Sequence, residues 1–306
     1  MSTPQAAPVI CGTRLRGGTA NSARGAEPFV REAIGAAKAA GAGTGRTSGS
    51  GRTSGSGSIG GIVVVRADSA FYSAGVIAAC RDNHVCFSVT ATMDKKIKAA
   101  IAAIPESSWT AIQYPDAVFE EQAGRWVSDA EIAEISYTAF ASNKDRAATA
   151  RLIVRRVKRL NLQEKIGQEE LFTTWRYHAI FTDSPFTLIQ AEAQHRDHAM
   201  MEQVNADLID GPLAHLPSGV FTANAAWLTL AALTHNLLRA AGCLAGAFHA
   251  RARGVMLRRH LLTVPARIAR HGRGHLTLHL PQHWRWQAAW LNVFDALHRP
   301  LPRHVT

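Results

Sequence analysis

The apolar positions of this chain repeat with two different periods, and the switch between them divides it. Ile62 to Val65 is an unbroken run of β-branched residues, the pattern of a short strand covered on both faces. It ends at Arg66-Ala67-Asp68-Ser69. Ser73 to Arg81 has the composition of a short helix, Val85 to Thr90 reads as a second strand, and Met93 to Ile104 is an amphipathic helix stopped by Pro105. Strand and helix alternate here, which predicts α/β architecture. From about 109 to 183 the period falls to two. In EISYTAF, Ile135, Tyr137 and Ala139 share one face, with Glu134, Ser136 and Thr138 opposite; ARLIVRRVKRL and FTTWRYHAIFTD alternate likewise. Helical spacing then returns from Leu188 to Asp210, a single helix stopped by Gly211-Pro212, and again from Phe221 to Ala241. Near the end, HLTLHL (275–280) can pair with PARIA (265–269), and Trp284 to Leu297 reads as an aromatic helix. Upstream, residues 8–15 have a strand pattern, and Glu27 to Ala40 is helical with Pro28 in its first turn.

The hexamer GRTSGS stands at 45–50 and again, identically, at 51–56; nothing in it can build a core, so it reads as a flexible linker. These patterns predict an α/β core over 1–108 with a flexible Gly/Ser/Arg/Thr repeat at 44–58, and a β-rich insertion over 109–183. A return to the core follows over 184–242, then a basic C-terminal tail over 243–306.

Charge narrows the choice of partner. The 306 residues carry a formal net charge of +11, and the arginines cluster, which points to a polyanion and first to nucleic acid. Cys11, Cys80, Cys86 and Cys243 make neither a CxxC nor a zinc-ribbon spacing and read as reduced thiols of a cytoplasmic protein. The N-terminal residues lack the order of a signal peptide. The most apolar stretch, Phe221 to Ala250, is broken by Asn224, Thr234, His235, Asn236 and Arg239, so no membrane partner is expected.

Two places carry candidate chemistry. Asp68 follows a buried strand and precedes a helix, where α/β sheets place their sites; the same position suits an N-cap. On the helix from Leu188, His195, His198 and Glu202 are spaced three and four apart and would line one face, with Arg196 at its edge. Such a face could be solvated or could hold zinc, making a zinc-dependent hydrolase one alternative, although HxxH lacks the i, i+4 spacing of the HExxH helix. The run Arg155 to Arg159 would put cations on both sides of one strand, either as a solvated edge or as a phosphate-contacting strand through Arg155, Arg156 and Arg159.

Taken in order, RADSAFYS, then HRDHAMMEQ, then SGVFTANAAWLTLAALTHNLLRAAG resemble the insertion-sequence transposases whose catalytic domain is the transposase DDE domain, group 1; TRLRGGTANSARGA upstream also fits. The resemblance implies an α/β, ribonuclease H-like core, here incomplete, with a β-rich insertion and a helical C-terminal part. It implies DNA transposition by strand nicking and strand transfer. Two Asp and one Glu would hold two Mg²⁺ or Mn²⁺ about 3.5–4 Å apart. The implied partners are the terminal inverted repeats of the element and a second copy in a homodimer. Carried over, Asp68 matches the second Asp and Glu202 the Glu, both as catalytic metal ligands. The Tyr-x-x-Arg-x-x-x-Glu pattern of related transposases falls on His195, His198 and Glu202, which with Arg196 become DNA contacts; the Lys often found seven residues beyond the Glu is Ile209 here.

No Asp precedes Asp68. The first acid of the family pattern is therefore missing, and the expectation is an N-terminally truncated, inactive form with separated strands and reduced stability. One alternative order makes Asp68 the first acid and Asp183, at the end of HAIFTD, the second. A further alternative keeps only DNA binding, through Arg155, Arg156, Arg159, Arg251, Arg253, Arg258 and Arg259.

Overall fold

The computed structural model describes residues 1–3, 6–20, 23–43, 61–112, 119–120, 125–126, 130–158, 175–197 and 200–298. The GRTSGS repeat, Arg159 and His198 lie outside the described residues. The chain forms two compact units: residues 19–198, and residues 1–18 together with 199–306.

The first unit begins with α1 (Ala26–Ala39), β1 (Val64–Ala67), α2 (Ala74–Asp82), β2 (Cys86–Thr90) and α3 (Lys95–Ala102). Local chemistry sets these boundaries. Ser73 caps α2 by accepting from the Val76 amide, and Asp94 caps α3 by accepting from Ile97 at 2.8 Å. The strands β3 (Thr110–Ile112), β4 (Phe119–Glu120), β5 (Arg125–Trp126), β6 (Ala130–Ala139), β7 (Ala148–Lys158) and β8 (Trp175–Thr182) follow, then α4 (Leu188–Arg196), which opens with a Thr187/Gln190 capping box.

The stretch read as a β-rich insertion is continuous with the α/β strands. Six strands form one mixed sheet in the order β1-β2-β8-β7-β6-β3, in which only β1 and β2 run parallel. The strands expected to be separated are thus joined, because β8 pairs with β2 through Ser88–Thr182, Val89–Phe181 and Thr90–Ile180. Period two then sorts the side chains. One face carries Phe87, Val89, Leu152, Val154, Ala179 and Phe181 against Val30, Ile34, Val76, Ile77, Ile97 and Ile101 of the three helices. The other face packs Ile153 and Ile180 under Ala191 and Leu188 at α4. Phe181 anchors the larger core, with the Phe87 ring 5.3 Å away and Tyr72 and Tyr137 set edge-on.

The second unit is helical: α5 (Met200–Ile209), α6 (Phe221–Ala245), α7 (Ala247–Arg251) and α8 (Gly254–Leu257), which runs into a π-helical turn, Arg258–Leu262. After these come the hairpin β9 (Arg267–Arg270) and β10 (Leu276–His279), then α9 (Gln287–His298). Residues 8–15 are not a strand. Val9 exchanges hydrogen bonds with Met1, and helix side chains take the groups on either side: the Asn236 amide brackets Ile10, accepting from its N–H at 2.8 Å and donating to its carbonyl at 2.8 Å. His235 lies 3.0 Å from the Pro8 carbonyl. His235 and Asn236, two of the polar residues that interrupt α6, therefore hold this segment. No helix among the described residues is long and apolar enough to cross a membrane.

An aromatic clamp closes this unit. Trp286 stacks on His260 (4.3 Å, 19°) and on Phe248 (5.1 Å, 14°), and His249 stands edge-on to it at 4.9 Å. Gly242 permits the approach of α7, since a Cβ there would lie 2.6 Å from the His249 carbonyl oxygen. The His260 Nδ1 and His249 Nε2 atoms are 3.3 Å apart, so one nitrogen donates and the other accepts. Burial lowers both imidazole pKa values; the charge of His260 lowers that of His249 further, and Arg259 and Arg285 lower that of His260. The unfolded state then binds more protons than the folded one. The clamp's contribution is complete above the unfolded value of about 6.5 and is lost as pH falls through the depressed folded values. Urea midpoints should accordingly fall between about pH 7 and pH 5. A His249→Phe/His260→Phe variant should show a shallower fall, with the remainder due to His178, whose pKa is lowered by burial and by Arg155 and Arg176. Parallel pH profiles for the two proteins would contradict this.

Candidate functional site

Asp68 stands one residue beyond Ala67, the last residue of β1, and Ala67 pairs with Val89 of the parallel neighbour β2. It is therefore at the carboxyl end of the one parallel pair in the sheet, where loops leave room for a site. Its extended backbone (φ −78°, ψ −179°) starts a 3₁₀ turn at Ser69–Phe71, and Oδ1 accepts from the Ala70 amide at 3.0 Å. Cap and ligand are compatible roles, because one hydrogen bond leaves acceptor capacity on an exposed carboxylate. Asp94 stands in a similar place, four residues past the end of β2, as the exposed cap of α3. Sequence reading passed over it, although Asp ahead of a helical Lys-Lys-Ile run is an N-cap signal.

Asp183 lies at the opposite end of the sheet. β8 runs antiparallel to β2, so its last residues reach the start of β2, and Asp183 Oδ1 accepts from the Phe87 amide at 2.7 Å. Burial raises its pKa against that bond and against Arg81. The order with Asp68 first and Asp183 second is excluded by this topology: the two carboxylates flank opposite ends of β2.

The helix expected from Leu188 to Asp210 is two helices. α4 ends at Arg196 with Asp197 as its C-cap, α5 begins at Met200, and the two belong to different units. His195 and Glu202 therefore do not share a helical face, and the zinc reading loses its premise. Both ring nitrogens of His195 are engaged besides: Nδ1 is 2.8 Å from Ser88 Oγ and Nε2 is 3.0 Å from Thr90 Oγ1. These contacts pin α4 to β2. Glu202 is an exposed carboxylate in the first turn of α5. Among the described residues no three His, Cys, Asp or Glu side chains gather where they could hold a metal.

The cationic run on β7 needs correction. β7 is an interior strand between β6 and β8, neither a solvated edge nor a free phosphate-facing strand. Arg155 and Arg156 do point to opposite faces, as alternation requires, but each meets carboxylates of its own unit. Arg155 Nη1 donates to Glu192 at 2.8 Å, and Arg196 Nη2 donates to the other oxygen at 3.2 Å. Arg156 binds Glu106 through both Nη atoms and Glu131 through Nε, while its guanidinium lies between the rings of Trp109 (4.3 Å) and Trp175 (4.4 Å). Its side chain is only 6% exposed, so it is not presented to an external phosphate. Arg66, on the α4 face of β1, donates to the Gln194 carbonyl; burial lowers its pKa and the charge of Asp197 opposes that. Much of the basicity in this unit is thus structural.

The model of the family described as transposase DDE domain group 1 matches residues 58–301, so the chain belongs to that family. The six-stranded mixed sheet with helices on both faces is consistent with its ribonuclease H-like domain. No curated protein matches the chain.

Proposed function

We propose that this chain serves DNA transposition, binding the terminal inverted repeats of its element, with Asp68 and Glu202 each a candidate ligand for Mg²⁺ or Mn²⁺. Support comes above all from Asp68: an exposed carboxylate, restrained by the Ala70 amide, at the carboxyl end of the parallel strand pair in a transposase DDE domain. Carboxylate oxygens suit hard divalent cations. A cation bound there supplies Lewis-acid stabilisation of phosphoryl oxygens. The part of Asp68 is to present an oxygen whose position is limited by its own turn, and that of Glu202 to present another from the first turn of α5.

Residues 1–67 contain no Asp, and among the described residues no group of three His, Cys, Asp or Glu side chains could hold a metal. We infer that the chain alone does not nick DNA. Purified protein incubated with Mn²⁺ and a supercoiled plasmid carrying the terminal repeats should show nicking no greater than an Asp68→Ala variant. Nicking that this substitution abolishes would overturn the inactivity while supporting the assignment of Asp68. A second reading, DNA binding without chemistry, is favoured by Arg259, Arg267, Arg270 and Arg285, which are exposed and form no ion pair among the described residues.

A further inference from the structure

Between Asp210 and Asp295 the sequence has no carboxylate, while it carries nine arginines and eight histidines. Two of those arginines are compensated inside the second unit: Arg253 pairs with Asp207 (3.1 Å) and Asp210 (2.7 Å), and Arg239 lies 4.0 Å from Asp207. Arg258 donates to the Asp210 carbonyl. By contrast, Arg259, Arg267, Arg270 and Arg285 are exposed and form no ion pair among the described residues.

The hairpin β9–β10 carries the middle of this cationic stretch. Its pairs are Arg270–Leu276, Ala269–Thr277, Ile268–Leu278 and Arg267–His279, so Ile268, Leu276 and Leu278 share a face with Arg270. Seven of the eight strand residues are exposed, Ala269 being half-buried, and no third strand joins them among the described residues. A two-stranded ribbon of this kind has no core of its own and is marginal in water. What secures it is its base. His260 precedes β9 and Trp286 follows β10, and their rings stack at 4.3 Å within the clamp formed with Phe248 and His249. A clamped base, an exposed ribbon and arginines on both of its faces, with no ion pair among the described residues, make a cationic arm.

We propose that the β9–β10 hairpin is a duplex-binding arm that meets DNA phosphates through Arg267 and Arg270, with Arg259 and Arg285 flanking its base. The inference rests on the reading of this chain as a transposase and adds the element by which it holds DNA. Charge complementarity selects the occupant, since a polyanion neutralises cations that have no ion pair among the described residues. Size agrees, because a two-stranded β-ribbon fits the major groove, which is about 12 Å wide.

The test is fluorescence anisotropy of a labelled mixed-sequence duplex with the full chain, from about 50 to 200 mM KCl. Wild-type affinity should fall steeply with salt. Arg267→Ala/Arg270→Ala should bind at least about tenfold more weakly at the lowest salt, with a log–log slope shallower by about two, one for each phosphate that is no longer neutralised. Its thermal melt should match wild type, because both side chains are exposed. Equal affinity and slope for the two proteins would overturn the arm and leave DNA binding elsewhere on the chain intact. Failure of the wild type to bind duplex even at the lowest salt would overturn the transposase reading together with the arm. Capture by anionic vesicles without duplex binding, or loss of self-association in Ile268→Ser/Leu278→Ser with the arginines irrelevant to DNA, would assign the hairpin to a different occupant.

Discussion

Replacing Glu192 with alanine should destabilise the chain by about 3–5 kcal/mol, the cost of removing one partner from a buried charge network. Glu192 is 1% exposed and sits on α4 over the sheet, where its two oxygens receive Arg155 and Arg196. Without it, Arg155, whose side chain is only 17% exposed, loses the carboxylate its Nη1 donates to, while Arg176 and the half-buried His178 stay nearby. The neighbouring Ala191 covers Ile153 and Ile180, so any shift of α4 to hydrate the arginine also uncovers apolar surface. Adding Arg155→Leu should recover part of the loss, since a buried ion pair replaced by apolar groups is often nearly neutral. Urea denaturation of the two variants measures both effects. A loss below about 1 kcal/mol for Glu192→Ala would place the network in the range of a solvated surface pair.

Arg156→Ala should lower stability by about 3 kcal/mol and leave duplex affinity unchanged within twofold. The guanidinium fills the slot between Trp109 and Trp175 and joins Glu106 on one side to Glu131 on the other. Glu106 and Glu131 together raise its pKa above that of a free arginine despite some burial, and its hydrogen bonds lower that of Glu106. Arg156→Lys should recover little, because an ammonium cannot be bidentate to Glu106 and stack flat between two indoles together. The two readouts separate the structural role from a DNA contact. Affinity falling in parallel with the arm variant, at unchanged stability, would return Arg156 to the phosphate-binding surface.

Legibility followed the range of the interaction. The alternation in EISYTAF put Ile135, Tyr137 and Ala139 on one face, which the structure packs on the core, since a strand's two faces are set by neighbours in sequence. The run Ile62 to Val65, a local signal, marked β1 only in part: the strand is Val64–Ala67, shifted two residues on, with Ile62 exposed, while Asp68 follows it as the capping acid. The PVICGTRL segment misled for the same reason. Its pattern suits a strand, but Asn236, more than two hundred residues on, takes the hydrogen bonds of Ile10. The Leu188–Asp210 helix misled differently: no Gly or Pro marks the break near Asp197, which coincides with the boundary between units. Nor could composition show which arginines were already matched. Arg156 is followed at once by Val157, and its partners lie 25 and 50 residues away in sequence.

The sequence by itself determined the α/β alternation, the long β segments, Asp68 at a strand end, Glu202 on a helix and a cationic, carboxylate-free C-terminal stretch. These depend on side-chain periodicity, capping and charge, all local or additive properties. Tertiary structure alone decided that the β-rich stretch extends the sheet of β1 and β2, that Asp183 faces the end away from Asp68, and that His195 and Glu202 belong to different helices. It also decided that Arg155 and Arg156 are bound inward while Arg267 and Arg270 form no ion pair among the described residues. Those outcomes depend on which distant carboxylate, strand or ring is packed against a residue, and a linear pattern carries no record of that.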